Sequence, residues 1–154
     1  NMINIIPLPV RPLNFFSNME FFSYCSLTVP MELVRGFFNN SANLLKITPL
    51  SFLFKVEPEE ELKEGMVISL KFLGFTIMES LIRDVGAFGF TDIALKKPFF
   101  IRHWEHRHIF IPKGNSTVIE DHLTVESLLP NVLLRLFLRL MFIYRCRRLK
   151  RLLT

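Results

Sequence analysis

No apolar stretch in this chain matches a membrane span. The greasiest region, residues 128–144, is interrupted by Arg135 and Arg139, and its uncharged runs fall well short of the roughly 20 residues a spanning helix needs. Cysteine is scarce: Cys25 and Cys146 stand far apart and fit neither a C-x-x-C nor a zinc-finger spacing, so free, reduced thiols are expected. No serine or cysteine sits in a nucleophile motif, no glycine-rich phosphate loop is present, and the metal, kinase and hydrolase signatures are missing. The first residues lack a basic n-region and an A-x-A cleavage site, and Pro7, Pro9 and Pro12 break what would have to be an apolar helix. A secretory signal is therefore not expected, and a cytoplasmic location is. Repeats, low-complexity tracts and long linkers are absent as well.

What is present is a core-forming composition. Of 154 residues half are hydrophobic and 17 are Phe, too many aromatics for a disordered segment and the right length for one soluble domain with a greasy interior. The net charge of +5 is unevenly placed. From Pro130 onward there are seven basic residues and no acidic one, which leaves the remainder of the chain at about −2. Arg145, Arg147, Arg148, Lys150 and Arg151 form either a solvated helix end beside its own carbonyl dipole or a contact for an anionic membrane or nucleic acid. Asn1 precedes the first Met, and clear patterning begins near Met19, so residues 1–18 are expected to be an extension and 19–154 the domain.

The period of the apolar residues supplies the architecture. Residues 20–29 are aromatic and β-branched and end at Pro30, which predicts a strand; Leu33, Val34, Phe37 and Phe38 then recur at helical spacing. Ser41 is expected to cap a second short helix through Leu44, Leu45 and Ile47, stopped by Pro49. The period then changes to two. Six strands are expected at 51–57, 66–73, 75–83, 88–96, 101–111 and 117–127, joined as antiparallel hairpins, before Pro130 opens a long helix.

For the last hairpin, a turn at Lys113-Gly114 would pair Arg107 with Glu120 and Glu105 with His122 outward. It would pair Trp104 with Leu123, His106 with Asp121, His108 with Ile119 and Phe110 with Thr117 inward. On a helical wheel Arg135, Arg139, Cys146 and Lys150 share a stripe. Leu133, Leu136, Phe137, Leu140, Met141 and Tyr144 are then expected to face the sheet. Because the helix is apolar over more than half its circumference, a further surface such as a second subunit is also expected to meet it.

The order of elements, an α+β arrangement of strand, two short helices, six antiparallel strands and a long helix, resembles the helix-grip fold of the START and Bet v 1-like superfamily, also called the polyketide cyclase/dehydrase and lipid transport family. Val29-Pro30, Asn43-Leu44-Leu45-Lys46-Ile47-Thr48-Pro49 and Glu64-Gly65 are similar to strings of a bacterial branch. So are Phe90-Thr91-Asp92, Lys97-Pro98-Phe99 and Trp104-x-His106-x-His108-x-Phe110, followed by Ser116-Thr117, Asp121, Pro130 and Phe142-x-Tyr144-Arg145. The branch usually has glycine where Lys97 stands and often tryptophan where Met78 stands.

The resemblance implies a hydrophobic small molecule or lipid held between a curved sheet and the C-terminal helix, with Trp104, His106, His108, Phe110, Asp121, Leu123, Phe137 and Met141 as candidate ligand-binding residues. His106 and Asp121 are also the candidates for acid–base work in a cyclase or dehydratase, since a carboxylate beside an imidazole fixes its tautomer and raises its pKa. The same pair reads equally as a buried polar couple satisfying itself. No cofactor is expected. A metal is not expected either, because His106 and His108 share a face but His103 points to the opposite one and no cysteine lies nearby in sequence.

Overall fold

The computed structural model describes residues 15–154. Most of the proposed extension, residues 1–14, lies outside the described residues; Ser17 and Asn18 already belong to the first strand. In chain order the elements are β1 (Ser17–Leu27), α1 (Met31–Phe38), α2 (Asn43–Lys46), a 3₁₀ turn (Ser51–Leu53), β2 (Phe54–Glu57) and β3 (Val67–Phe72), then β4 (Phe75–Gly86), β5 (Gly89–Lys96), β6 (Ile101–Lys113), β7 (Ser116–Ser127) and α3 (Asn131–Leu153). The strands form one antiparallel sheet in the order β1-β7-β6-β5-β4-β3-β2. The expected helix-grip architecture is the one observed.

Turn chemistry sets the hairpins. Leu73 and Gly74 both adopt positive φ between the paired Phe72 and Phe75, the two-residue geometry that suits a twisted hairpin. In the last hairpin Lys113 pairs with Ser116, so Gly114-Asn115 is the turn rather than Lys113-Gly114. Gly114 sits at φ 60°, the positive value required at the first central position of a II′ turn, and Asn115 needs none. The pairing is consequently shifted: Arg107 faces His122, His106 faces Leu123, His108 faces Asp121 and Phe110 faces Ile119. The inward and outward sets survive, because the shift preserves the parity of the strand.

Ser41 does not cap α2. The helix begins after Ala42 without a side-chain cap, and the Ser41 hydroxyl instead donates to the Pro58 carbonyl and accepts the Glu60 amide at 3.0 Å, tying α2 to the segment after β2.

Two apolar clusters fill the inner side. One joins Leu27, Val34, Phe38, Ile47, Phe110, Ile119 and Leu149; the other joins Met19, Phe21, Leu123, Val125, Leu134, Leu138 and Phe142. The stripe of α3 that meets the sheet is thus Leu134, Leu138, Phe142, Arg145 and Leu149, roughly opposite the expected one. Leu133, Leu136, Phe137 and Leu140 are exposed, Phe137 at 61%. The helix is apolar almost all round in its first half, so a wheel could not choose its inner side; long-range ties do. One tie is covalent: Cys25 on β1 and Cys146 on α3 form a disulfide with their Cα atoms 5.6 Å apart, which corrects the expectation of free thiols.

Replacing Leu138 by Ala is expected to lower unfolding free energy by about 2–5 kcal/mol, whereas Phe137→Ala should stay within about 0.5 kcal/mol, both read by urea denaturation. Thiol titration of the denatured, unreduced protein should find no free cysteine, and two after reduction.

Candidate functional site

Strand alternation places Trp104, His106, His108 and Phe110 on the inner face of β6, and the register sets β5 and β7 in phase beside them. Asp92 faces His106 from β5, and Asp121 faces His108 from β7. Gly89 is required for this: a Cβ there would fall 1.9 Å from the His108 carbonyl oxygen, so only glycine lets β5 approach β6 so closely. The outcome is four ionisable groups in one apolar wall. His106, His108 and Asp121 are buried, and Asp92 retains 17% side-chain exposure.

The two carboxylates hold the imidazoles differently. Asp121 Oδ1 lies 2.8 Å from His106 Nε2 and 2.9 Å from His108 Nδ1. The first is a well-formed hydrogen bond; the second has the distance but not the alignment, so His108 Nδ1 is left without a hydrogen bond. Asp92 Oδ2 stands 3.4 Å from His106 Nδ1 and 3.2 Å from His108 Nε2. Aromatic rings fix the imidazoles from the sides. Phe90 stacks on His108 at 4.3 Å, and Phe142 meets His106 edge-on at 5.5 Å.

Burial alone would push both carboxyls up, but the close contacts of His106 and His108, reinforced by their charge, outweigh it and hold Asp92 and Asp121 well below the usual carboxylate range. Burial would likewise lower His106. Its hydrogen bonds to Asp121 and then Asp92 prevail, and its pKa is raised.

The sequence-predicted site residues are only partly assembled. His106, His108 and Asp121 come together, and Phe110 and Leu123 lie in the apolar clusters on either side. Trp104 and Met141 are half-buried at the edge of the second cluster. Phe137 is on the far side of α3 and cannot form a wall beneath it. Asp92 was missed as a site residue. Period two puts it on the face of Phe90 and Ala94, yet only the pairing of β5 with β6 shows that this face carries the histidines.

In the basic cluster Arg145 is buried, with its guanidinium 5.1 Å over the Phe142 ring, and Arg148 donates to the Lys46 carbonyl at 3.1 Å. Arg147, Lys150 and Arg151 remain exposed.

The space directly beneath α3, expected to be a chamber, is filled by Leu134, Leu138, Phe142 and Leu149. Two hollows lie elsewhere. One, of about 230 Å³, is on the outer face of the sheet between Phe22, Arg107 and His122; the other, about 20 Å³ beside Phe38 and Gly89, is the size of one water. Among the described residues no helix is long and apolar enough to cross a membrane.

No protein-family model matches the chain, and no curated protein matches it by sequence. Solved structures do match. A START superfamily protein from Mycobacterium smegmatis superposes with a TM-score of 0.70 over 87% of this chain and 96% of its own, at 12% identity. The ginseng major latex-like protein 151 from Panax ginseng gives 0.66 over 88% and 97%, also at 12% identity. The Zhui aromatase/cyclase from Streptomyces sp. R1128 gives 0.60 over 72% and 69%, at 15% identity. The helix-grip fold is shared with these structures.

The pKa directions define a stability profile. His106 stabilises the folded state fully below its ordinary value of 6.5, and that contribution is lost as pH rises through its raised folded value. Asp92 and Asp121 stabilise it above their ordinary 3.8, a contribution lost as pH falls through their depressed values. With chelator present, the urea midpoint should therefore be highest between pH 3.8 and 6.5 and fall on both sides. Asp121→Asn, which removes the main partner of His106, should flatten the alkaline limb.

Proposed function

We propose that this protein binds a hydrophobic small molecule or lipid along the inner face of its sheet, beside α3 rather than beneath it. The observation that carries this reading is the incomplete cover of that face. α3 runs over β1, and on the opposite half of the sheet Ile68, Leu70, Met78 and Ser80 point inward yet stay half-exposed. Trp104, on the inner face of β6, is half-buried too. Exposed apolar surface on the concave side of a sheet is what an apolar guest would cover. Met78, where the resembling branch often has tryptophan, leaves more room there. Asp92 is the member of the buried cluster that reaches this side, suited to meet a polar group on the guest.

The similarity to a START superfamily protein and to an aromatase/cyclase supports the general kind of partner while leaving the ligand open, because one fold serves many functions. A second reading, a cyclase or dehydratase, is favoured by the 2.8 Å contact of His106 and Asp121, in which His106 would move a proton and Asp121 orient it. Contact with an anionic surface would rest on Arg147, Lys150 and Arg151 alone. The exposed side of α3, from Val132 to Leu140, is the surface a homo-oligomer would use. The cytoplasmic location loses one premise, since a disulfide is the habit of oxidising compartments.

Trp104 is the single tryptophan and borders the proposed site, so its emission reports on binding. Titration with a long-chain fatty acid should change it saturably at one equivalent, and Leu70→Arg should weaken the response at least about tenfold, the effect of losing a little over 1.4 kcal/mol. An unchanged emission, together with native mass spectrometry showing no retained small molecule, would refute the binding reading. Loss of turnover with retained binding in His106→Ala would favour the enzyme instead.

A further inference from the structure

We infer that Asp92, His106 and His108 form a binding site for one divalent transition-metal ion of the zinc class, with Asp121 orienting both imidazoles from behind. Two imidazoles and one carboxylate from adjacent strands are a set that such ions accept with positions left open. This assignment does not require the hydrophobic-ligand reading, although both use Asp92.

The distances separate a metal set from a purely ionic one. Charge-assisted hydrogen bonds settle at about 2.7–2.9 Å, and the Asp121 side of the cluster is at 2.8 and 2.9 Å. On the Asp92 side the same types of atom stand at 3.2 and 3.4 Å, the shorter still a hydrogen bond of His108 Nε2 but both longer than ion-paired hydrogen bonds usually are. Those values match the edge of a tetrahedron whose centre lies 2.0–2.1 Å from each corner, about 3.3–3.4 Å. One ligand atom from each of Asp92, His106 and His108 lies within 4.8 Å of the other two.

The remaining nitrogens point the other way. With His106 Nδ1 and His108 Nε2 turned to the metal, the protons belong on His106 Nε2 and His108 Nδ1, which lie 2.8 and 2.9 Å from Asp121 Oδ1, the first as an aligned hydrogen bond and the second as a close contact without that alignment. A carboxylate taking the outer protons of metal-bound imidazoles is the usual supporting arrangement and sets the tautomers. Charge agrees: two buried carboxylates with neutral imidazoles carry two negative charges in an apolar wall, which one divalent cation neutralises. Access is through Asp92, the partly exposed member.

The test uses the intact chain, stripped with chelator and titrated with Co²⁺ and then Zn²⁺. One Co²⁺ should bind per chain and give visible absorption bands, lost when Zn²⁺ displaces it. Asp92→Asn should abolish stoichiometric binding, Asp121→Asn should weaken it about 10–100-fold, and His122→Ala, on the outer face, should leave it unchanged. Because the inner variants disturb a buried cluster, the wild type is also followed by imidazole ¹⁵N resonances. Zn²⁺ should move the His106 Nδ1 and His108 Nε2 signals and leave both opposite nitrogens protonated. Absence of a stoichiometric Co²⁺ spectrum, loss of binding in His122→Ala, or ¹⁵N shifts confined to His103 and His122 would overturn the assignment.

Discussion

Four ionisable side chains share one apolar wall, and that arrangement holds only while three strands keep their mutual register. A carboxylate or imidazolium taken from water alone loses several kcal/mol of hydration, and only close, well-directed partners recover it. Asp92, His106, His108 and Asp121 are those partners for one another, and each comes from a strand position where a slip of one residue would turn it outward. The surroundings serve the same end. Gly89 permits the close approach of β5, Phe90 and Phe142 brace the imidazoles, and the clusters on either side exclude water from all but the Asp92 edge.

Local signals were sufficient for the elements themselves. Runs of strand-forming residues bounded by glycine and proline anticipated every strand, with ends off by up to three residues: β1 begins at Ser17 rather than Glu20, Ser51–Leu53 is a 3₁₀ turn rather than extended chain, and β4 runs on to Gly86. Readings that depended on where elements meet were weaker. The last hairpin turned on whether Gly114 is the first or second central residue, a choice decided by its positive φ. The inner side of α3 was misjudged because Leu133, Phe137 and Leu140 are as apolar as Leu134 and Leu138, so periodicity carries no preference. Cys25 and Cys146 show no motif in sequence, and only the packing of α3 on β1 brings them together. Asp92 escaped for the same reason: its partners belong to a strand reached through the loop of residues 97–100, whose length and geometry no pattern specifies.

The three solved structures compared above share this fold at 12–15% identity, a level at which backbone topology persists while site chemistry does not transfer. What individualises this chain is therefore the inner face. Its helix side is densely packed, its far side is open, and its polar cluster sits at the boundary between them.

Cys25 and Cys146 are 121 positions apart, one on the first strand and one on the last helix, so their bond turns nearly the whole domain into a covalent ring. A protease cutting once at any surface turn between them opens that ring without dividing the molecule. The two pieces stay joined, and the break becomes visible by mass only after the sulfur–sulfur bond is reduced.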